Sequence, residues 1–258
     1  MKKEKEMVKV ILSGCNGHMG QVLTDILNAD SETVIAAGID IAPANNVREY
    51  PIFSSPADCS VEADAVIDFS NFRATDALLD FCVDRRLPLV LCTTALTEET
   101  LAKVAECSKI IPILRSANMS VGINLLMKLV KEAAALLAPA GYDMEIVEAH
   151  HNRKIDAPSG TALALGESMN EALDNEYHFV FSRHDRHEKR DPKEIGISSV
   201  RGGSIVGDHT VMFAGQDEVI EFRHTAYSRA IFGKGAVEAA KFLAGKPAGM
   251  YDMSDVIG

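Results

Sequence analysis

The chain has little cysteine: Cys15, Cys59, Cys82, Cys92 and Cys107 are the five among 258 residues, and no two form a C-x-x-C pair. An odd set without that spacing excludes a disulfide framework and points to reduced thiols in the cytoplasm. No apolar run approaches the ~20 residues that cross a bilayer. The mixed-charge start Met1–Glu6 leads into a core strand rather than a secretory apolar region, so neither a membrane span nor a signal peptide is expected. Long basic stretches are also missing. With a formal net charge of −11, phosphate repulsion argues against a nucleic-acid partner. Internal repeats and low-complexity segments are absent.

Apolar residues, in contrast, make up 47% of the chain, enough to bury a core in one large domain or two ordinary ones. Arg183, Arg186, Lys189, Arg190 and Lys193 alternate with His184, Asp185, His187, Glu188 and Asp191. Such a mixture reads as a solvated or subunit-facing loop, and His184 and His187 are not taken as metal ligands.

Val8–Leu12 is a β-branched apolar run that enters Ser13-Gly14-Cys15-Asn16-Gly17-His18-Met19-Gly20, after which Val22, Leu23, Ile26 and Leu27 repeat with helical spacing. Strand, glycine turn and helix form a pyrophosphate site, because glycines let the backbone approach and the helix start supplies unpaired donors. A second strand, Thr33–Ile39, ends at Asp40, where a carboxylate can accept from adenosine ribose hydroxyls. The turn departs from G-x-G-x-x-G, since Asn16 stands at the second glycine position, though asparagine tolerates left-handed backbone.

Further strand-like runs at Ala65–Phe69, Pro88–Cys92 and Ile110–Leu114 alternate with helical patterns over 74–86 and 98–107. That order predicts an α/β fold with a Rossmann-like, doubly wound parallel sheet. Ligands bind beyond the carboxyl ends of such strands, at Phe69-Ser70-Asn71, Cys92-Thr93-Thr94 and Ser116-Ala117-Asn118-Met119-Ser120. These small polar residues can bond a ribose or a nicotinamide amide, or equally cap helices. A helix over 123–138 follows, then a strand over 142–148, then period-two runs at 197–201, 204–207, 209–214 and 218–224 that predict an antiparallel meander or a mixed sheet. A last helical pattern over 228–243 returns to the first domain. The expected organisation is a dinucleotide-binding domain of 1–121 plus 229–258, with an inserted α+β domain of 122–228.

The strand ending at Glu148 delivers Ala149-His150-His151-Asn152-Arg153-Lys154-Ile155-Asp156-Ala157-Pro158-Ser159-Gly160-Thr161. Histidine titrates near neutrality, so His150 or His151 can donate a proton, while the helix start near Ser159 attracts a carboxylate with Arg153 and Lys154 adding charge. A solvated loop is the plainer reading. A metal hydrolase using His150, His151 and Asp156 is disfavoured, because adjacent strand residues face opposite ways. A nucleotide-sensing protein would not need the His-His-Lys set, and a thioester-forming dehydrogenase would need a cysteine beside a histidine.

The segment Glu148–Ala162 resembles the E-[AL]-H-H-x-x-K-x-D-[AS]-P-S-G-T-A signature of the 4-hydroxy-tetrahydrodipicolinate reductase family. Gly14-x-x-Gly17-x-Met19-Gly20, Asp68-Phe69-Ser70, Thr93-Thr94, Ala117–Gly122 and Arg201-Gly202-Gly203-x-Ile205-Val206-Gly207-x-His209 resemble it too. The resemblance spans essentially the whole chain. It implies NAD(P)H-dependent reduction of a small dicarboxylate in diaminopimelate and lysine biosynthesis, with a homotetramer in the cytoplasm and no metal. His150 would be the proton donor and Lys154 its cationic partner, with His151, Gly160 and Thr161 holding substrate. Gly14, Cys15, Asn16, Gly17, His18, Met19, Asp40, Cys92, Thr93, Thr94, Ala117, Asn118, Met119 and Ser120 would hold the cofactor. Two positions depart from the family: His18 where arginine is frequent, and Cys92 where glycine is usual. Asp40 would repel a 2′-phosphate, Ile41 offers no cation and only His18 could compensate, so NADH is expected to serve at least as well as NADPH.

Overall fold

The computed structural model describes residues 7–42, 48–184 and 186–258. In chain order the elements are β1 (Val8–Ser13), α1 (His18–Ala29), β2 (Thr33–Ile39), β3 (Ile52–Phe53), β4 (Ala65–Asp68), α2 (Thr75–Asp84), β5 (Leu89–Leu91), α3 (Glu98–Ser108) and β6 (Pro112–Leu114). There follow α4 (Val121–Leu137), β7 (Asp143–His150), α5 (Gly160–Glu171), β8 (His178–Val180), β9 (Glu194–Arg201), β10 (Gly207–Ala214), β11 (Val219–Ala226), α6 (Ala230–Leu243), β12 (Gly249–Tyr251) and α7 (Met253–Ile257). They form two compact units: Met1–Met119 with Ala230–Gly258, and Ser120–Arg229.

The first unit is built on a parallel sheet of order β12-β6-β5-β4-β1-β2-β3. Its strands read as continuous apolar runs because both faces are covered. Val10, Leu12, Ile67, Val90 and Leu114 join Leu23 and Leu27 of α1 and Ala236, Val237 and Ala240 of α6 in one core. Ile11, Val66, Leu89 and Ile113 face Leu78 and Leu79 of α2 and Val104 of α3 in the other. The strand order reverses between β1 and β4, and such a switch point opens a crevice at the strands' carboxyl ends.

The second unit holds a mixed sheet of order β11-β10-β7-β9-β8, in which β10 runs antiparallel to β7 and β11 while β7, β8 and β9 are parallel. Period-two alternation is strict in β7 and β10, with Met144, Ile146, Val211 and Phe213 packed beneath Leu126 and Val130 of α4 and Leu165 and Met169 of α5. The same alternation puts Glu148, His150 and His209 on that buried face.

Several elements differ from expectation. β7 continues two residues beyond Glu148, because pairing with β9 persists to His150 opposite Arg201. The run 204–207 is no strand of its own: Ser204–Val206 complete a turn and Gly207 opens β10. The charged run near 183–193 is largely exposed, yet its arginines anchor it to the sheet. Arg183 and Arg186 bond the buried Glu194, and Arg190 bonds Asp143 and the Met144 and Glu194 carbonyls. Asp185 of that run, like Met1–Glu6, lies outside the described residues. Among the described residues no helix is long and apolar enough to cross a membrane.

Candidate active site

The turn after β1 is built for close approach. Gly14 has φ +79°, and a Cβ there would sit 2.6 Å from the Phe69 carbonyl oxygen, so the chains leaving β1 and β4 touch at the switch point. Gly17 begins α1 without a side-chain cap, and no acid occupies the first turn. The leading N–H groups near the exposed His18 and the half-buried Met19 thus point their positive dipole end outward. Asp40 closes β2, one carboxylate oxygen accepting from Asn16 N and the other from Ala42 N, both at 2.8 Å. Asn16 is not left-handed, contrary to the reason expected for it. Its amide instead donates to the Ala42 carbonyl at 2.7 Å, so the side chain staples the turn.

One residue escaped sequence reasoning here. Arg48 donates to the Cys15 carbonyl at 3.2 Å, and its Nε is buried with no partner. It adds a second cation to a turn where His18 was the only one foreseen, and its eight-residue distance from Asp40 left no motif to reveal it. Burial, followed by the Asp40 charge, pushes the Cys15 thiol up to about 11, which keeps it an inert packing group. Ser70 Oγ, just past β4, is likewise buried without a partner. A glycine cradle that a Cβ would fill, an uncapped helix start and a strand-end carboxylate suit a dinucleotide's pyrophosphate and ribose.

The other strand-end residues divide between surface and fold. Thr93 is buried and donates to Asp68 Oδ2 at 2.6 Å, tying β5 to β4. Ser120 Oγ caps α4 by accepting from Ile123 N. Met119 lies in the core and Cys92 packs against it, with burial raising the Cys92 thiol well above its ordinary value. Thr94 and Ala117 are exposed and Asn118 is half-buried.

In the second unit the central group is a carboxylate. Glu148 is fully buried and accepts Arg201 Nη1 and Nη2 at 2.8 and 2.7 Å, Ser159 N at 3.1 Å, and His150 Nδ1 at 2.6 Å. Burial pushes its carboxyl up, but hydrogen bonds led by Arg201 and His150 outweigh that and hold it at about 2. His209 lies edge-on to the His150 ring, centroids 5.1 Å apart, and its Nε2 meets Ser159 Oγ at 3.0 Å. Burial, then the neighbouring His150, lowers His209 to about 4. Glu148, Arg201 and His209 received no role from sequence alone. Period-two spacing was the available signal, because it places Glu148 beside His150 and a histidine on the apolar face of β10.

His151 follows the strand, half-buried, and burial followed by Arg153 lowers it. Lys154 does not reach the His150 cluster in this state; its Nζ bonds both Asp156 oxygens at 2.8 Å. Ser159 caps α5 by accepting from Ala162 N, and the first turn at Gly160 and Thr161 carries no acid. Among the described residues no group of three or more His, Cys, Asp or Glu side chains is arranged to hold a metal ion.

A parallel sheet with a glycine cradle at its switch point, joined in one chain to an α+β unit bearing a carboxylate-bound histidine, defines the class of two-domain dinucleotide-binding oxidoreductases. Residues 8–119 match the family model for the N-terminus of dihydrodipicolinate reductase, and 122–257 match that for its C-terminus. Proteins named 4-hydroxy-tetrahydrodipicolinate reductase from Clostridium novyi and Caldanaerobacter subterraneus are each 48% identical over 251 residues, covering 97% of this chain and 98% of theirs. A dipicolinate-bound dihydrodipicolinate reductase structure from Paenisporosarcina shares the fold at a TM-score of 0.80 and 22% identity, over 95% of this chain and 97% of that one. The chain belongs to the dihydrodipicolinate reductase family.

The histidine cluster sets an acid limit on stability. His209 titrates near 4 when folded against 6.5 ordinarily, so as pH falls through that window the unfolded chain takes up a proton that the folded chain refuses, and stability drops. Glu148, held near 2 against 4.5, extends the loss to lower pH by an amount on the order of 3 kcal/mol. Denaturant unfolding of wild type and His209→Asn at pH 7, 5.5 and 4 should show a flatter decline in the variant. Equal slopes would exclude His209 as the source.

Proposed function

We propose that this chain reduces 4-hydroxy-tetrahydrodipicolinate to tetrahydrodipicolinate with a pyridine nucleotide, a step of the diaminopimelate route to lysine in the cytoplasm. The observation that carries this reading is His150, a histidine gripped at Nδ1 by a buried carboxylate, at the end of a strand beside a helix start free of acids. The dicarboxylate bound to the Paenisporosarcina relative supports the substrate class. In this reading residues 1–121 with 229–258 bind the cofactor, and 122–228 bind substrate and build the oligomer.

A bound reduced nicotinamide would supply the hydride that the carbon–carbon double bond needs once water has left the hydroxylated ring. His150, as an imidazolium, delivers the proton from Nε2 to the carbon where negative charge develops, acting as general acid. Lys154 exchanges Asp156 for a substrate carboxylate, adding positive charge that attracts the dianion and stabilises the transition state. The α5 start at Gly160 and Thr161, with His151, receives the second carboxylate. Gly14 through Met19 would cradle the pyrophosphate, Asp40 would accept from the ribose, and the segments Cys92 through Thr94 and Ala117 through Ser120 would line the nicotinamide side, with the Thr93, Met119 and Ser120 side chains serving the fold.

With 4-hydroxy-tetrahydrodipicolinate as substrate, His150→Gln should lower kcat by roughly 10²–10⁴-fold with a smaller change in cofactor KM. Lys154→Ala should impair both kcat and substrate KM, because its charge acts on the ground state as well. Near-normal turnover by folded His150→Gln would remove His150 from the chemistry. Wild-type inactivity here with activity on another small dicarboxylate would redirect the substrate, and inactivity on all of them would favour a nucleotide-binding homologue.

NADH is proposed to serve at least as well as NADPH, since Asp40 repels a 2′-phosphate. His18 and Arg48 are the cations able to offset it. Parallel assays with both cofactors decide this, and a strong NADPH preference that persists in the His18→Ala, Arg48→Ala double variant would overturn the role given to Asp40.

A homotetramer is proposed through the second unit's sheet. On the face opposite α4 and α5, Val147, Ala149 and Met212 are partly exposed, and Val200 and Val219 are 49% and 57% exposed. Sedimentation should give four chains, and a fully active monomer at micromolar concentration would defeat the proposal.

A further inference from the structure

We propose that Glu148 is the positioning residue of the proton donor. Clamped by Arg201 and the Ser159 N–H, its carboxylate keeps the His150 hydrogen on Nδ1 and thereby makes Nε2 the atom that exchanges protons. This rests on the reductase reading above.

Ser199 also hydrogen-bonds Glu148, and four further donors are placed oxygen by oxygen. Oε1 receives Arg201 Nη2 and Ser159 N; Oε2 receives Arg201 Nη1 and His150 Nδ1. A carboxylate held at about 2 carries no hydrogen at neutral pH, so it can only accept, and the hydrogen of the shared bond belongs to His150. Neutral His150 is then the Nδ1–H tautomer, with a lone pair on Nε2 ready to be recharged after each turnover. When both ring nitrogens carry hydrogen, Nδ1–H still donates to the Glu148 carboxylate 2.6 Å away. The transfer balances: the Nε2–H bond breaks as the substrate C–H bond forms, and Nδ1–H stays with Glu148.

Two neighbours keep Nε2 available. Among the described residues no group hydrogen-bonds it, and a Cβ on Gly207 would stand 3.2 Å from it, so the glycine leaves that edge of the ring open. His209 is the ring closest to a competing cation. Ser159 Oγ accepts from Ala162 N and pairs with His209 Nε2 at 3.0 Å. Burial, then the neighbouring His150, lowers His209 to about 4, so its ring is neutral at neutral pH.

Glu148→Gln is informative because a glutamine cannot satisfy these donors. With its oxygen at the Oε1 position, facing Ser159 N and Arg201 Nη2, its NH₂ faces His150 and forces Nδ1 to accept, which moves the imidazole hydrogen to Nε2. The test is ¹⁵N NMR of the imidazole nitrogens in full-length protein without substrate, the His150 signals being those missing in His150→Gln, followed by steady-state rates. Expected are an Nδ1–H tautomer in wild type, an Nε2–H tautomer in Glu148→Gln, and a kcat lower by about 10²-fold or more with cofactor KM within about twofold. Gly207→Ala should keep the wild-type tautomer and lose kcat. A wild-type Nε2–H tautomer overturns the proposal whether or not Glu148→Gln folds, and so does a folded Glu148→Gln with wild-type tautomer and rate. Because the NMR arm needs no turnover, an error in the assigned reaction would show as wild-type inactivity with the tautomer result intact.

Discussion

The second unit hinges on one buried anion. Glu148 sits on β7, Arg201 on β9 and Ser159 at the start of α5, so the same carboxylate fixes the strand pair, the helix entry and the histidine. Arg201 also donates to the Asp156 carbonyl at 2.7 Å, which holds the loop carrying Lys154 against the sheet. Burying a carboxylate and a guanidinium costs several kcal/mol per ion before pairing repays it. An apolar pair of equal volume would serve stability as well or better. The ion pair makes sense as an orienting device, since a hydrocarbon cannot hold an imidazole tautomer.

Burial keeps the surrounding histidines neutral. His209 and His224 are cross-strand partners on β10 and β11, and burial comes first among the causes that lower both. Their Nδ1 atoms are buried without partners, an arrangement tolerable for neutral rings and prohibitive for charged ones. Arg201 and His150 share the Glu148 carboxylate, and Lys154 pairs with Asp156.

The parallel sheet was legible because β1, β2, β4 and β5 are apolar on both faces and each is followed by a helix or turn signal. Thr33–Ile39 was bounded to the residue. Ile52–Phe53, His178–Val180 and Gly249–Tyr251 were not foreseen, since two or three residues carry no measurable period and owe their strand geometry to a neighbour. At the site, His150, Lys154 and the α5 cap were visible as local chemistry. What was hidden is long-range: Arg201 lies 53 residues from Glu148, His209 50 from Ser159 and Arg48 33 from Cys15. Sheet register brings the first pair together, and register does not appear in a local window.

Charge distribution at the helix starts links the two units. Helices α2, α3 and α7 each carry an acid in the first turn, Asp76, Glu98 with Glu99, and Asp255, so their positive ends are neutralised from within. Helices α4 and α6 carry none, and neither do α1 and α5, in a chain of formal net charge −11 where acids are plentiful. An acid at the start of α1 or α5 would compete with an incoming phosphate or carboxylate by direct repulsion at a few ångströms, where screening is weakest. The two helices also differ in their capping. Gly17 gives α1 no side-chain cap, leaving its first donors open, whereas Ser159 caps α5 and its hydroxyl also pairs with His209. The first arrangement favours tight contact with backbone N–H groups. The second couples the helix start to the histidine cluster, so in the proposed reading the position that attracts a substrate carboxylate is held by the same hydrogen bonds that orient the proton donor.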